Sequence, residues 1–97
     1  MKTLIKNPGD ESFREIIIPT NDLGLLQQLV DGHIETVTLA TDACVICNEE
    51  GRIKGLEHNC TYCGIDFVGT ILIAGVDGDE FCDVPMSVAM ANGGIEA

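Results

Sequence analysis

The run IDFVGTILIAG, residues 65–75, constrains the fold more than any other stretch of this chain. It is apolar on both faces of an extended backbone, which predicts a strand at the centre of a sheet. It is too short to cross a membrane as a helix, which takes about 20 apolar residues. Gly69 inside it marks a bulge or the close approach of another backbone. Only Phe13, Phe67, Phe81 and Tyr62 are aromatic, so the core is built from Ile, Leu and Val. At 97 residues the pattern describes one domain, residues 1–97.

The flanking segments supply the partners for that strand. TLIKN (residues 3–7) stops at the turn signal Pro8-Gly9-Asp10, and FREIIIP follows with three β-branched residues before Pro19. The two read as a hairpin. Next, Leu23, Leu26 and Val30, with Leu25 and Leu29 alongside, recur at helical spacing. Thr20, Asn21 or Asp22 is placed to cap the helix start, and Gly32 suits the left-handed position at its end. A helix over residues 23–31 is expected.

HIETVTLA (residues 33–40) reads as a strand, broken by Thr41-Asp42. ACVICN and RIKGL, joined by Glu49-Glu50-Gly51, read as a hairpin over residues 44–56, with a loop over 57–64. Asp77-Gly78 turns the chain into a return strand over residues 80–84. MSVAMANGG after Pro85 has room for one or two helical turns. The expected fold class is α+β: a mainly antiparallel sheet with one principal amphipathic helix packed on one face.

Charge is the strongest compositional signal. Sixteen acidic residues face five basic ones, a net charge of −11. Such a surface repels nucleic acid and anionic membrane and attracts a basic surface on another protein. Acidic surfaces also simply keep small proteins soluble. The N-terminal MKTLIKNPGDE turns polar after five residues and lacks the apolar region of a signal peptide, so a cytosolic location is expected.

Two CxxC pairs, Cys44/Cys47 and Cys60/Cys63, stand twelve residues apart. This spacing is close to that of a zinc ribbon, in which each turn folds two sulfurs toward one ion. A four-thiolate site of this kind is closed to water and structural. Against it, Cys44-Val45-Ile46-Cys47 lies in an apolar β-type run. Residues three apart in a strand point to opposite faces, with Cα atoms roughly 10 Å apart. Cys44 and Cys47 then serve as small core residues. Cofactor expectations are therefore none, or one structural zinc. A reversible Cys60–Cys63 disulfide ranks below both, because no Lys or Arg flanks that pair.

Other clusters carry little chemistry. Glu49 and Glu50 are adjacent, and Asp77, Asp79 and Glu80 form a second acidic group, both at turn positions where solvated acids are ordinary. There is no phosphate-binding glycine loop and no nucleophile elbow, and the only serines are Ser12 and Ser87. No enzymatic activity is expected.

The order of four segments is distinctive: LGLLQQLVDGHIETVTL, VICNEEGRIKGL with Asn59 soon after, FVGTILIAG, and DGDEF. Over most of residues 1–84 the chain resembles the phage- and mobile-element-associated proteins grouped as domain of unknown function 3846. The resemblance implies a small accessory protein acting in the host cytoplasm, with no catalytic residues to carry over. It offers Asn48, Glu49, Glu50, Gly51 and Asn59 as either a binding surface or a turn that fixes register, and implies that cysteines at positions like 60 and 63 are not a family requirement.

The leading functional expectation is a non-enzymatic protein that binds a host macromolecule, an acidic anti-defence or nucleic-acid-mimicking inhibitor. The expected partner is a host protein with a basic surface, without direct nucleic-acid or membrane binding; a homo-oligomer is compatible with the pattern. The rivals are a nucleotide-type small-molecule binder, in which Arg14, Arg52 and Lys54 converge, and a zinc-stabilised interaction module.

Overall fold

The computed structural model describes residues 1–20, 22–85 and 94–96. Nine strands and two short helices follow along these residues. They are β1 (Lys2–Lys6), β2 (Arg14–Ile17), α1 (Leu23–Val30), β3 (Ile34–Ala40), β4 (Ala43–Asn48), α2 (Gly51–Lys54), β5 (His58–Tyr62), β6 (Ile65–Val68), β7 (Ile71–Asp77), β8 (Glu80–Cys82) and β9 (Ile95–Glu96). A six-stranded sheet runs in the order β2-β1-β7-β4-β3, with β8 also on β7. A three-stranded sheet runs β6-β5-β9. Every pairing among the described residues is antiparallel.

β7 is the central strand that the apolar run predicted. It pairs with β1 through Leu4↔Ile73 and with β4 through Val45↔Ile73. Residues Ile71, Leu72, Ile73 and Ala74 are all fully buried. Side chains alternate along a strand, and the two faces meet different layers. Ile71 and Ile73 pack with Leu4, Val45, Phe67 and Tyr62 beneath the second sheet. Leu72 and Ala74 pack with Ile5, Ile46, Leu26 and Val30 beneath α1.

The expected α+β class, with one principal amphipathic helix on a sheet, is not what forms. About 49% of the described residues are strand and 15% helix. α1 covers one face but spans only eight residues. The opposite face is covered by the second sheet, whose β5 lies in the segment expected to be a loop and whose β6 lies in the run expected to be the start of the central strand. Asp22 caps α1 by accepting the Leu25 N–H at 3.0 Å. Asp31, at φ +63°, takes the left-handed position, one residue before Gly32.

Two further boundaries differ. The segment 65–75 is two strands, not one. At Gly69 (φ +72°) the chain leaves the second sheet as β6 and enters the first as β7. A Cβ there would meet Leu56 Cδ1 at 2.8 Å, so the glycine serves both the turn and the close approach. The expected hairpin over residues 44–56 is absent, because β4 pairs with β3 and β7, and Gly51–Lys54 coil into α2. The β1–β2 hairpin and the β7–β8 return form as expected. The helical turns expected after Pro85 lie outside the described residues.

Burial of β7 sets a clear contrast for mutagenesis. Ile73→Ala is expected to lower unfolding free energy by about 3–4 kcal/mol, since it removes packing on a fully buried site. Ile17→Ala, at a side chain 72% exposed on the edge strand β2, is expected to change it by no more than about 0.5 kcal/mol. Urea titration of both variants measures the difference.

Candidate functional site

Between β4 and β7 the chain makes an excursion through α2, β5 and β6. Asn48, the last residue of β4, directs its start. Its Nδ2 donates to the carbonyls of Val30 and Asp31, each at 2.9 Å, which satisfies the open C-terminal end of α1. Its Oδ1 accepts the Glu50 N–H at 2.7 Å, curling the backbone into α2. Lys54 Nζ adds a bond to the Asp31 carbonyl at 3.1 Å. Asn59 does the equivalent work at the other end. Its Nδ2 donates to the carbonyls of Lys6 and Gly69, both at 2.8 Å, and its Oδ1 accepts from Lys6 Nζ at 2.9 Å. Lys6 is only 3% exposed, so Asn59 is the acceptor that receives a buried ammonium.

The five candidate binding residues therefore divide. Asn48 and Asn59 are buried and bonded within the fold. Glu49 and Glu50 are exposed at the β4–α2 turn. Gly51 is buried, and a Cβ on it would sit 2.8 Å from Val68 Cγ2, so its lack of a side chain lets α2 lie against β6. Asn48, Glu49, Glu50 and Gly51 line one cleft of about 400 Å³, while Asn59 does not.

The cleft lies between α2 and β6, over the adjoining ends of β3 and β4. Its apolar surface includes Val37, Cys47, Phe67 and Val68. Its walls carry Ile53 on α2, 85% exposed, and Ile65 on β6, 40% exposed. Glu35 and Asp66 join Glu49 and Glu50 in the lining, making four carboxylates, with Arg52 the one cation. Arg52 reaches across, its Nη2 donating to the Asp66 carbonyl at 2.8 Å. The Asp66 carboxylate accepts from Thr61 Oγ1 and lies 3.9 Å from His58 Nε2. Sequence reasoning missed Ile53 and Ile65 as site residues. In sequence each reads as part of an ordinary strand, and only their exposure on facing elements distinguishes them.

The four cysteines proposed as metal ligands are not brought together. Cys44 packs beneath α1 and Cys47 beneath the second sheet, on opposite faces of β4. Cys60 is buried on the Cys47 side, and Cys63 is exposed at the β5–β6 turn with φ +50°. No three metal-binding side chains cluster among the described residues. Burial pushes the Cys44 thiol up to about 11, and burial with the nearby Glu35 charge does the same for Cys47. A shared zinc ion needs its thiolates turned toward one point, and Cys44 and Cys47 on opposite faces of β4 do not fit that geometry. Cys47 instead donates its S–H to the Glu35 carbonyl at 3.7 Å.

The positive residues do not converge either. Arg52 and Lys54 are bonded to carbonyls on different elements, and Arg14 lies on the edge strand β2.

A family model described as domain of unknown function (DUF3846) matches residues 1–91. The chain belongs to this family. No curated protein and no solved structure matches it. Within this DUF3846 member, the segment VICNEEGRIKGL is the joint that ends α1, starts α2 and forms one wall of the cleft. No helix among the described residues is long and apolar enough to cross a membrane.

Two outcomes follow for this region. Asn48→Ala and Asn59→Ala each leave buried partners unsatisfied and are expected to cost about 2–4 kcal/mol, while Glu50→Gln stays within about 0.5 kcal/mol. Thermal or urea unfolding checks this. Elemental analysis of reduced, purified protein is expected to find less than roughly a tenth of an equivalent of zinc; a full equivalent would contradict the separation of the four thiols.

Proposed function

We propose that this chain is a non-enzymatic acidic docking protein that binds a partner protein through that partner's basic surface. The observation that carries this is the way charge is distributed. The chain has sixteen acids and five bases. Of the bases, Lys6 is buried on Asn59, and Arg52 and Lys54 are bonded to backbone carbonyls. Among the described residues the one acid–base contact within 4.0 Å is His58–Asp66, with both side chains exposed. Among the described residues the other carboxylates thus have no cationic side chain within 4.0 Å, and their mutual repulsion is relieved when a cationic surface approaches.

The same charge disfavours nucleic acid and anionic membrane as direct partners. In this proposal the chain is an accessory protein of a phage or mobile element that works in the host cytoplasm. It occupies the basic cleft of a nucleic-acid-handling or defence protein as the nucleic acid would. The resemblance noted above supports that setting, and the charge supports the mode of binding.

The test is affinity capture from host lysate with the chain immobilised, followed by identification of the bound proteins. A nucleic-acid-binding protein with a basic cleft is expected at about 0.05 M salt. It should be released by duplex DNA and lost as salt rises to about 0.5 M. Recovery of no basic partner at low salt, or capture indifferent to both salt and DNA, would contradict the proposal.

A further inference from the structure

The cleft between α2 and β6 has a chemistry that charge alone does not explain. Among the described residues four large apolar side chains are notably exposed: Ile17, Leu23, Ile53 and Ile65. Two of them, Ile53 and Ile65, stand on the two walls of this cleft. Exposed apolar area in a concave site favours an apolar occupant, because filling it removes that area from water. Around it stand the carboxylates of Glu35, Glu49, Glu50 and Asp66. A volume of about 400 Å³ admits one or two side chains, not a folded domain.

The occupants differ in how they meet that rim. A nucleotide would bring phosphates against four carboxylates and one guanidinium that is already bonded to the Asp66 carbonyl. A second copy of the chain would bring another net charge of −11 to the same rim. An aliphatic side chain flanked by arginine or lysine satisfies both the apolar walls and the acids. Arg52 shows that a guanidinium arm fits across this site and finds an acceptor in it.

We infer that the α2–β6 cleft seats an aliphatic side chain of the partner, with flanking arginine or lysine residues on Glu35, Glu49 and Glu50. This rests on the acidic-docking proposal and locates it at one end of the molecule. The register Ala43↔Gly75 and Ile46↔Leu72 puts Asp77 and Asp79 at the other end of the sheet, where they serve as a charge-matched control.

The experiment measures binding of two synthetic peptides, one with a central leucine pair flanked by arginines and one with both leucines replaced by serine. In wild-type protein at about 0.05 M salt the leucine peptide should bind roughly ten times tighter than the serine peptide. Ile53→Ser, at an exposed position that leaves the core untouched, removes that preference. Glu49→Gln with Glu50→Gln weakens the leucine peptide by about tenfold, and Asp77→Asn with Asp79→Asn by less than about twofold.

Arg52→Gln removes the cleft's own cation and tightens the leucine peptide by about threefold, a gain that misfolding does not imitate. Equal losses from the two charge pairs, with no effect of Ile53→Ser, would overturn the cleft assignment and leave acidic docking standing. No binding of either peptide at low salt would overturn both. A dimer in sedimentation that Ile53→Ser abolishes would overturn it in favour of a second copy as the occupant.

Discussion

The pairing of β7 on both of its edges is the constraint on which the rest of the structure depends. The hairpins β1–β2 and β3–β4 are distant in sequence and meet through β7. Because Ile71 and Ile73 face the second sheet while Leu72 and Ala74 face α1, a slip of one residue would exchange the two sets. Both layers would then lose their packing at once, so the register is firmly held. The order of the sheet also has a consequence for the route of the chain. After β4 the backbone must leave the sheet and return antiparallel beside it as β7. The excursion that accomplishes this is α2, β5 and β6, and it supplies most of the second sheet and a wall on each side of the cleft. The candidate site is thus a product of how the central strand is reached.

Polar side chains hold the excursion in place. Asn48 secures the point of departure by bonding the end of α1 and the start of α2. Asn59 secures the return by bonding the carbonyl of Gly69, where the chain crosses between sheets. Both are buried, where an unpaired amide would be costly. Three of the five bases take part in such internal bonds, with Lys6 on Asn59, Lys54 on Asp31 and Arg52 on Asp66. With these cations turned to internal bonding, His58–Asp66 is the one side-chain acid–base contact within 4.0 Å among the described residues. The fold's stability and the surface's charge are therefore linked through the same few residues.

Much of the first sheet was legible in the sequence. The β-branching of residues 33–40 and the apolar run of residues 43–48 marked β3 and β4, Pro8-Gly9 marked the first hairpin, and Asp77-Gly78 marked the last. The apolar spacing of Leu26 and Val30 marked α1. The second sheet was hidden for a physical reason. HNCTY carries no run of β-branched residues and is polar at His58, Asn59 and Thr61, so it resembled a loop. Its strand character comes from pairing with β6 and β9, which is non-local. The break at Gly69 was equally obscure, since an apolar run reads the same whether it lies in one sheet or two. At the candidate site, the NEEG turn was marked, but the buried roles of Asn48 and Asn59 depend on contacts with Val30, Asp31, Lys6 and Gly69. The cysteine spacing suggested a shared ion, and the alternation of β4 instead sends Cys44 and Cys47 to opposite faces.

The central claim is that one end of this acidic sheet protein, the cleft between α2 and β6, is where a basic partner docks. The most direct measurement is a two-dimensional amide NMR titration with an arginine-flanked leucine peptide. The account predicts shift changes concentrated at Glu49–Lys54, Ile65–Val68 and Glu35, with the β7–β8 turn unmoved. Changes spread over every acidic segment alike, or centred on Asp77–Glu80, would contradict it.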